Sequence, residues 1–265
     1  MRKKGWAVVT GASAGLGAEF VRQLAKRGHD IVLVARRRER LEALAREVEK
    51  SDAVKTEIVE ADLAAPGATA ALVKKLDDLG VVVEVLVNNA GVGLYGFAID
   101  QSIEKSTAMI ELNVVALTEL SLAFARKMAE RGSGGILNVS STASFQPDPY
   151  FAVYGATKAY VTSFSVALAC EVKSRGVRVL AHCPGPTRTE FNDVADVRAD
   201  ASALLYMSPE RCVAIGLRAL ERGKWVVVTG WINAIAAFFS RRSPLRLAAP
   251  VAGYLMRPVL PSKKA

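Results

Sequence analysis

The sequence predicts an α/β fold: a doubly wound parallel sheet of about seven strands with helices on both faces, the Rossmann-type arrangement. Three observations lead there. Short β-branched runs alternate with longer stretches of helical period. The runs are apolar throughout, the pattern of strands buried on both faces. A small-residue turn, Thr10-Gly11-Ala12-Ser13-Ala14-Gly15-Leu16-Gly17, joins the first run to the first helical stretch.

In chain order, strands are expected at Trp6–Thr10, Asp30–Ala35, Lys55–Glu60, Val81–Val87, Gly135–Ser140, Val177–Cys183 and Trp225–Val228. Helices are expected at Gly15–Arg27, Arg37–Lys50, Ile103–Glu130, Ala152–Arg175 and Ser208–Arg222. A further helix should follow Pro66, whose missing N–H is not needed in a first turn. Residues 1–230 read as one Rossmann-type domain and 231–265 as an appended apolar and basic tail, not an independent domain.

With 265 residues, 51% of them hydrophobic, the chain can bury a substantial core. Cys170, Cys183 and Cys212 lack metal-ligand spacing and read as free thiols of a reducing compartment. His29 and His182 read as structural. No signal-peptide core precedes the first strand and no run is long enough for a transmembrane helix, so a cytoplasmic location is expected. Of the net charge of +9, eight charges lie between Arg222 and Ala265, a stretch with no Asp or Glu. The nearly neutral body is therefore not expected to bind nucleic acid.

The glycine-rich turn lies where a pyrophosphate meets a helix N-terminus, with Gly11, Ser13, Gly15, Leu16 and Gly17 in contact. It lacks the Gly-Lys-Ser/Thr of a P-loop nucleotidase. Where an NAD-binding fold ends its second strand in a carboxylate, this chain has Ala35-Arg36-Arg37-Arg38. A guanidinium there suits the 2′-phosphate of NADP(H), with Arg36 the main contact and Arg37 its backup. Asp62, beside Leu63, either bonds the adenine amino group or caps the turn ahead of Pro66.

Tyr154 and Lys158 stand at i and i+4 on one helix face. A phenol beside an ammonium exchanges its proton more readily, and hydride addition to a carbonyl needs such a donor. Ser141, just past the fifth strand, is placed to polarise the same carbonyl, whereas Ser140 reads as strand-end structure.

These features, with Asn88-Asn89-Ala90-Gly91, Asn113 and Pro184-Gly185-Pro186-Thr187-Arg188-Thr189, make the chain resemble the short-chain dehydrogenase/reductase family from about Lys4 to Thr189. The resemblance implies hydride transfer between NADP(H) and a carbonyl or alcohol. It makes Tyr154 the acid/base and has Lys158 hold the nicotinamide ribose and lower the phenol's pKa. Ser141 would orient the substrate oxygen, and Asn113 would hold a water in a proton relay; otherwise Asn113 is a polar residue kinking its helix. Asn89, Ala90 and Gly91 would line the adenine side of the cleft, and Pro184, Gly185, Thr187 and Thr189 would meet the nicotinamide and phosphates. A homodimer or homotetramer built on the long helices is also implied.

Val92–Phe97, Phe145, Tyr150 and Leu204-Leu205-Tyr206-Met207 are expected to face a hydrophobic ketone, aldehyde or acyl chain. The tail reads as a peripheral membrane contact, a lid or an oligomer interface. A catalytically idle NADPH-binding sensor or scaffold is the alternative to an enzyme. It is disfavoured by the joint presence of Ser141, Tyr154 and Lys158.

Overall fold

The computed structural model describes residues 4–187, 189–191 and 206–257. Seven parallel strands form one sheet in the order β3-β2-β1-β4-β5-β6-β7: β1 (Lys4–Thr10), β2 (His29–Ala35), β3 (Thr56–Glu60), β4 (Val83–Asn88), β5 (Gly134–Val139), β6 (Val177–Cys183) and β7 (Val226–Val228). Between them run α1 (Gly15–Lys26), α2 (Arg38–Asp52), α3 (Ala68–Asp78), α4 (Ile103–Ile110), α5 (Leu117–Arg131), α6 (Ala152–Val172) and α7 (Pro209–Glu221). Helices α8 (Trp231–Ser240) and α9 (Leu245–Leu255) follow β7.

The sheet buries one apolar layer on each face. One gathers Val9, Phe20, Leu33, Leu41, Leu137 and Val213 beneath α1, α2 and α7. The other gathers Val8, Leu72, Leu86, Leu120, Phe124 and Ile136 beneath α3 and α5. Each such side chain removed from water contributes about 1.5–3 kcal/mol. That explains why strands without polar alternation form the centre of the fold. Strand order reverses between β1 and β4, and the cleft past their carboxyl ends is where such sheets bind ligands.

Three expectations change. The long helix from Ile103 is interrupted by a π-helical turn at Glu111–Ala116, because the Asn113 side chain is bonded to the main chain of Val92. The stretch Ile103–Arg131 is apolar and long enough to cross a membrane by length and composition. Its buried Met109, Leu120, Phe124 and Met128 show it packed as a core helix. Pro66 lies outside α3, since Gly67 at φ 75° is the residue that turns the chain into it.

A polar chain crosses the second apolar layer. Asn88 Nδ2 donates to Asn138 Oδ1 (2.9 Å) and Ser121 Oγ (3.0 Å), and Asn138 Nδ2 donates to Ser165 Oγ (3.0 Å), which ties β4 and β5 to α5 and α6. On the opposite face His182 is wholly buried beside Phe20 and Gly216. Burial pulls its pKa from 6.5 down to about 3. Between those values the unfolded chain binds a proton that the folded chain excludes. This contribution to stability is therefore complete above about pH 6.5 and is lost as pH falls toward 3. In urea unfolding between about pH 6 and pH 4, His182→Leu should lose stability less steeply than the parent, by up to about 1.4 kcal/mol per pH unit. Identical slopes would mean that His182 excludes no proton.

Candidate active site

The cleft begins at a junction between β1 and β4. Thr10 Oγ1 accepts from the main-chain N–H groups of Asn89 and Ala90, both at 3.0 Å. Asn89 Nδ2 in turn donates to the carbonyls of Thr10 (2.9 Å) and Gly11 (3.2 Å). Gly11 has φ 64°, and a Cβ on Gly17 would lie 2.0 Å from the Gly11 carbonyl oxygen. Only glycine permits that approach. The residue before α1, Ala14, offers no side-chain cap, so the first N–H groups of the helix face the cleft unclaimed by a cap. This cradle fits the pyrophosphate of a dinucleotide.

The arginines past β2 take different partners. Arg36 reaches back to Asp62 (3.8 Å), whose other oxygen caps the N–H of Ala64 (3.1 Å). Arg37 instead turns to the glycine-rich loop, where its Nε donates to Ser13 Oγ (3.2 Å). Arg37 and Arg40 together hold the two oxygens of Glu190, at 3.1 and 2.7 Å, and these bonds keep that carboxyl below its ordinary range. A carboxylate thus sits in the basic cradle that the sequence marks for a phosphate. Glu190 carried no sequence signal, because it lies about 150 residues from the arginines it meets.

At the other end of the cleft, Ser141 lies two residues past β5 and accepts from the Ala143 N–H (3.1 Å). Ser140 is structural, bonding the Lys158 carbonyl (2.9 Å) and Thr162. The Tyr154 phenol is buried, and burial pushes its pKa up to about 12, while the Ser141 hydroxyl pulls the other way and Asp148 pushes it higher. Lys158 Nζ donates to the Val139 carbonyl (2.9 Å) and lies 5.7 Å from the Tyr154 ring centroid. Its own burial holds it down to about 8. The expectation that Lys158 depresses the phenol's pKa is therefore not met in this state. The ammonium is aimed at a carbonyl, and desolvation outweighs any help it provides.

Asn113 lies under the same centre. It accepts from the Val92 N–H (3.0 Å) and donates to the Val92 carbonyl (2.9 Å) and Thr157 Oγ1 (3.1 Å). A Cβ on Gly91 would come within 3.0 Å of Asn113 Oδ1 and 3.3 Å of Lys158 Nζ. The side chain of Asn113 thus braces the Asn89–Val92 turn against α6. Thr189 lies over Gly15, and Gly185 leaves room for Asn233, whose Nδ2 would be 2.0 Å from a Cβ at that position. Thr187 Oγ1 donates to the Gly185 carbonyl (3.0 Å).

Around Tyr154 the wall is apolar: Met109, Phe151, Val92, Leu94, Tyr95 and Phe191 pack together. Phe151 and Phe191 flank the phenol ring with centroids at 5.4 and 5.5 Å. Phe191, like Glu190, was not foreseen. Phe145 departs from expectation: it packs with Ala181, Cys183 and Ala237 between β6 and α8, away from the Tyr154 cluster. Tyr150 holds φ 69°, a conformation that costs a non-glycine residue on the order of 1–3 kcal/mol. Its carbonyl accepts from Gly96 (2.9 Å) and its ring meets Phe97, fixing the mouth of the site. Met207 bonds the Pro186 carbonyl (3.0 Å). Arg188, Leu204 and Leu205 lie outside the described residues.

With this geometry in place, comparison decides the family. A family model described as short chain dehydrogenase matches residues 5–199. The chain belongs to the short-chain dehydrogenase family. It is an oxidoreductase acting on hydroxyl or carbonyl groups. It is 31% identical over 243 residues to the very-long-chain 3-oxoacyl-CoA reductase-B of Danio rerio, covering 86% of this chain and 75% of that protein. It is 32% identical over 213 residues to the 7beta-hydroxysteroid dehydrogenase of Collinsella aerofaciens, covering 78% of this chain and 80% of that one. Among solved structures, a short-chain dehydrogenase from Sphingobium yanoikuyae in complex with NADPH superposes with TM-score 0.82 at 34% identity, covering 90% of this short-chain dehydrogenase and 94% of the other.

The β1–β4 junction of this dehydrogenase admits a direct test. Thr10→Val keeps the shape but leaves the N–H groups of Asn89 and Ala90 without their acceptor. It should lower unfolding free energy by about 1–3 kcal/mol in urea titration. A change under a few tenths would show that water replaces the hydroxyl.

Proposed function

We propose that this dehydrogenase transfers a hydride between NADP(H) and the carbonyl or alcohol carbon of a hydrophobic substrate, with Tyr154 as the proton donor and acceptor. The observation that carries the reading is a buried phenol one helical turn from Lys158, packed against an apolar wall. The names of the relatives, a very-long-chain acyl reductase and a hydroxysteroid dehydrogenase, support a large apolar substrate. The NADPH complex of the Sphingobium protein and the basic cradle at Arg37 and Arg40 support the phosphorylated cofactor.

Bound NADP(H) supplies or accepts the hydride. Gly11, Ser13, Gly15, Leu16 and Gly17 would hold its pyrophosphate, Arg36 and Arg37 its 2′-phosphate, and Asp62, Leu63, Asn89, Ala90 and Gly91 its adenosine. Lys158 would hold the ribose, and Pro184, Gly185, Thr187 and Thr189 would meet the nicotinamide end. Ser141 orients the substrate oxygen, and Tyr154 protonates it as the alcohol forms. A phenol pushed up to about 12 stays protonated at neutral pH, which suits the donor role in reduction. Phe151 and Phe191 exclude water from the reacting centre. Lys158 replaces the proton, and Asn113 holds the turn beside it in place.

Tyr154→Phe should lower NADPH-dependent reduction of a medium-chain ketone panel by roughly 10²–10⁴-fold while leaving NADPH binding, read by fluorescence, intact. Turnover should rise with chain length in the parent. Tight NADPH binding with no turnover in either direction would instead favour the idle sensor.

Glu190 competes for the arginines that a 2′-phosphate needs, so Glu190→Gln should tighten NADPH severalfold and leave NADH unchanged. Weaker binding of both would make Glu190 a clasp over the cofactor rather than a competitor.

A further inference from the structure

Helix α8 is built inside out. The side it turns to the body carries Asn233, Ala237 and Ser240, at i, i+4 and i+7. Asn233 Nδ2 donates to the Thr229 carbonyl (2.9 Å), and Ala237 packs against Phe145 and Cys183. The side it turns outward carries Trp231, Ile232, Ile235, Phe238 and Phe239, with Trp231 75% and Phe239 63% exposed. A helix on a water-facing surface has the opposite arrangement.

Helix α9 repeats the pattern. Ala248, Ala249, Ala252 and Gly253 are partly covered, with Gly253 close against Pro149. Leu245, Leu247, Val251 and Tyr254 point outward, Tyr254 at 81% exposure. Apolar surface left contiguous on this scale marks a docking face.

Charge selects the occupant. Arg241, Arg242, Arg246 and Arg257 border these helices, and from Arg222 to Ala265 there is no Asp or Glu. Arg242 lies over the Phe238 ring at 3.6 Å, so cation and aromatic group are presented together. A two-fold contact between copies through this face would set the same arginines against one another with no carboxylate of the segment to pair them. An anionic bilayer offers hydrocarbon depth for the aromatic side chains and headgroup charge for the arginines.

We propose that the outward faces of α8 and α9 form a docking surface for an anionic lipid bilayer. The surface is continuous with the substrate mouth. A cavity of about 590 Å³ lies between α9 and the loops bearing Phe97 and Tyr150, with Tyr254 and Arg257 also in its lining. Tyr95 Oη donates to the Met256 carbonyl (2.6 Å), which ties the end of α9 to the loop beside Tyr154. Docking therefore places the mouth at the lipid surface. That consequence rests on the apolar-substrate reading, whereas docking itself does not.

The test is flotation of the full chain with vesicles of phosphatidylcholine alone and of phosphatidylcholine mixed with phosphatidylglycerol. The expected result is binding to the mixed vesicles only, weakened by salt. The double variant Trp231→Ser/Phe239→Ser should bind about tenfold more weakly, and so should Arg242→Gln/Arg246→Gln. Unchanged NADPH affinity and thermal unfolding would certify the fold of each variant. A chain that stays unbound with mixed vesicles overturns the proposal, as does vesicle binding indifferent to both variants. A sedimenting dimer that Trp231→Ser/Phe239→Ser converts to monomer, without vesicle binding by the parent, overturns it in favour of a second copy.

Discussion

The architecture of the site depends on the tie between the ends of β1 and β4. These strands are neighbours in the sheet although two strands and three helices separate them in sequence. Thr10 and Asn89 exchange main-chain and side-chain hydrogen bonds across the gap. The same Asn89 amide lies where a Cβ on Gly17 would come within 2.6 Å. One side chain therefore sets the width of the topological switch, the shape of the glycine-rich loop and the seat of α1. Buried polar groups tolerate few alternative arrangements, since an unmade hydrogen bond costs more than a made one contributes.

From that junction the cleft extends in two directions with opposite electrostatic character. Toward the arginines it is exposed and basic, and an internal carboxylate from Glu190 occupies the basic cradle. Toward Tyr154 it is buried and apolar. Desolvation raises the phenol and lowers the ammonium, so both groups are biased toward their neutral forms before any cofactor binds. Residues 189–191 join the two ends: Thr189 lies over Gly15, Glu190 meets the arginines and Phe191 flanks the phenol. A single short segment thus touches the glycine-rich loop, the arginines and the phenol ring.

The carboxyl-terminal helices extend this logic outward. Gly185 is small so that Asn233 can approach, and Asn233 in turn anchors the first turn of α8 to Thr229. The anchoring uses a polar and small-residue stripe, which leaves the large apolar side chains facing away from the body. The same segment that borders the mouth of the site thereby presents exposed aromatic side chains and arginines together.

The sequence by itself determined the α/β class, the order of strands and helices, and the local positions of Ser141, Tyr154 and Lys158. Those features rest on short-range rules: apolar runs bury as strands, i and i+4 share a helix face, and glycines mark close backbone approach. Ser141, Tyr154 and Lys158 were legible because a strand end and one helical turn define their positions locally. What tertiary structure decided involves partners distant in the chain. Arg36 pairs with Asp62 while Arg37 meets Ser13 and Glu190, a choice set by the curvature of the β2–α2 turn and by a loop some 150 residues away. Phe145 turns to α8 because a helix formed ninety residues later covers it. The π-helical turn at Asn113 exists because Val92, in another loop, supplies bonds that an uninterrupted α-helix would not meet. Periodicity reports which face is apolar, but only the packed chain decides which distant group that face will meet, because burial is a property of the assembled surface.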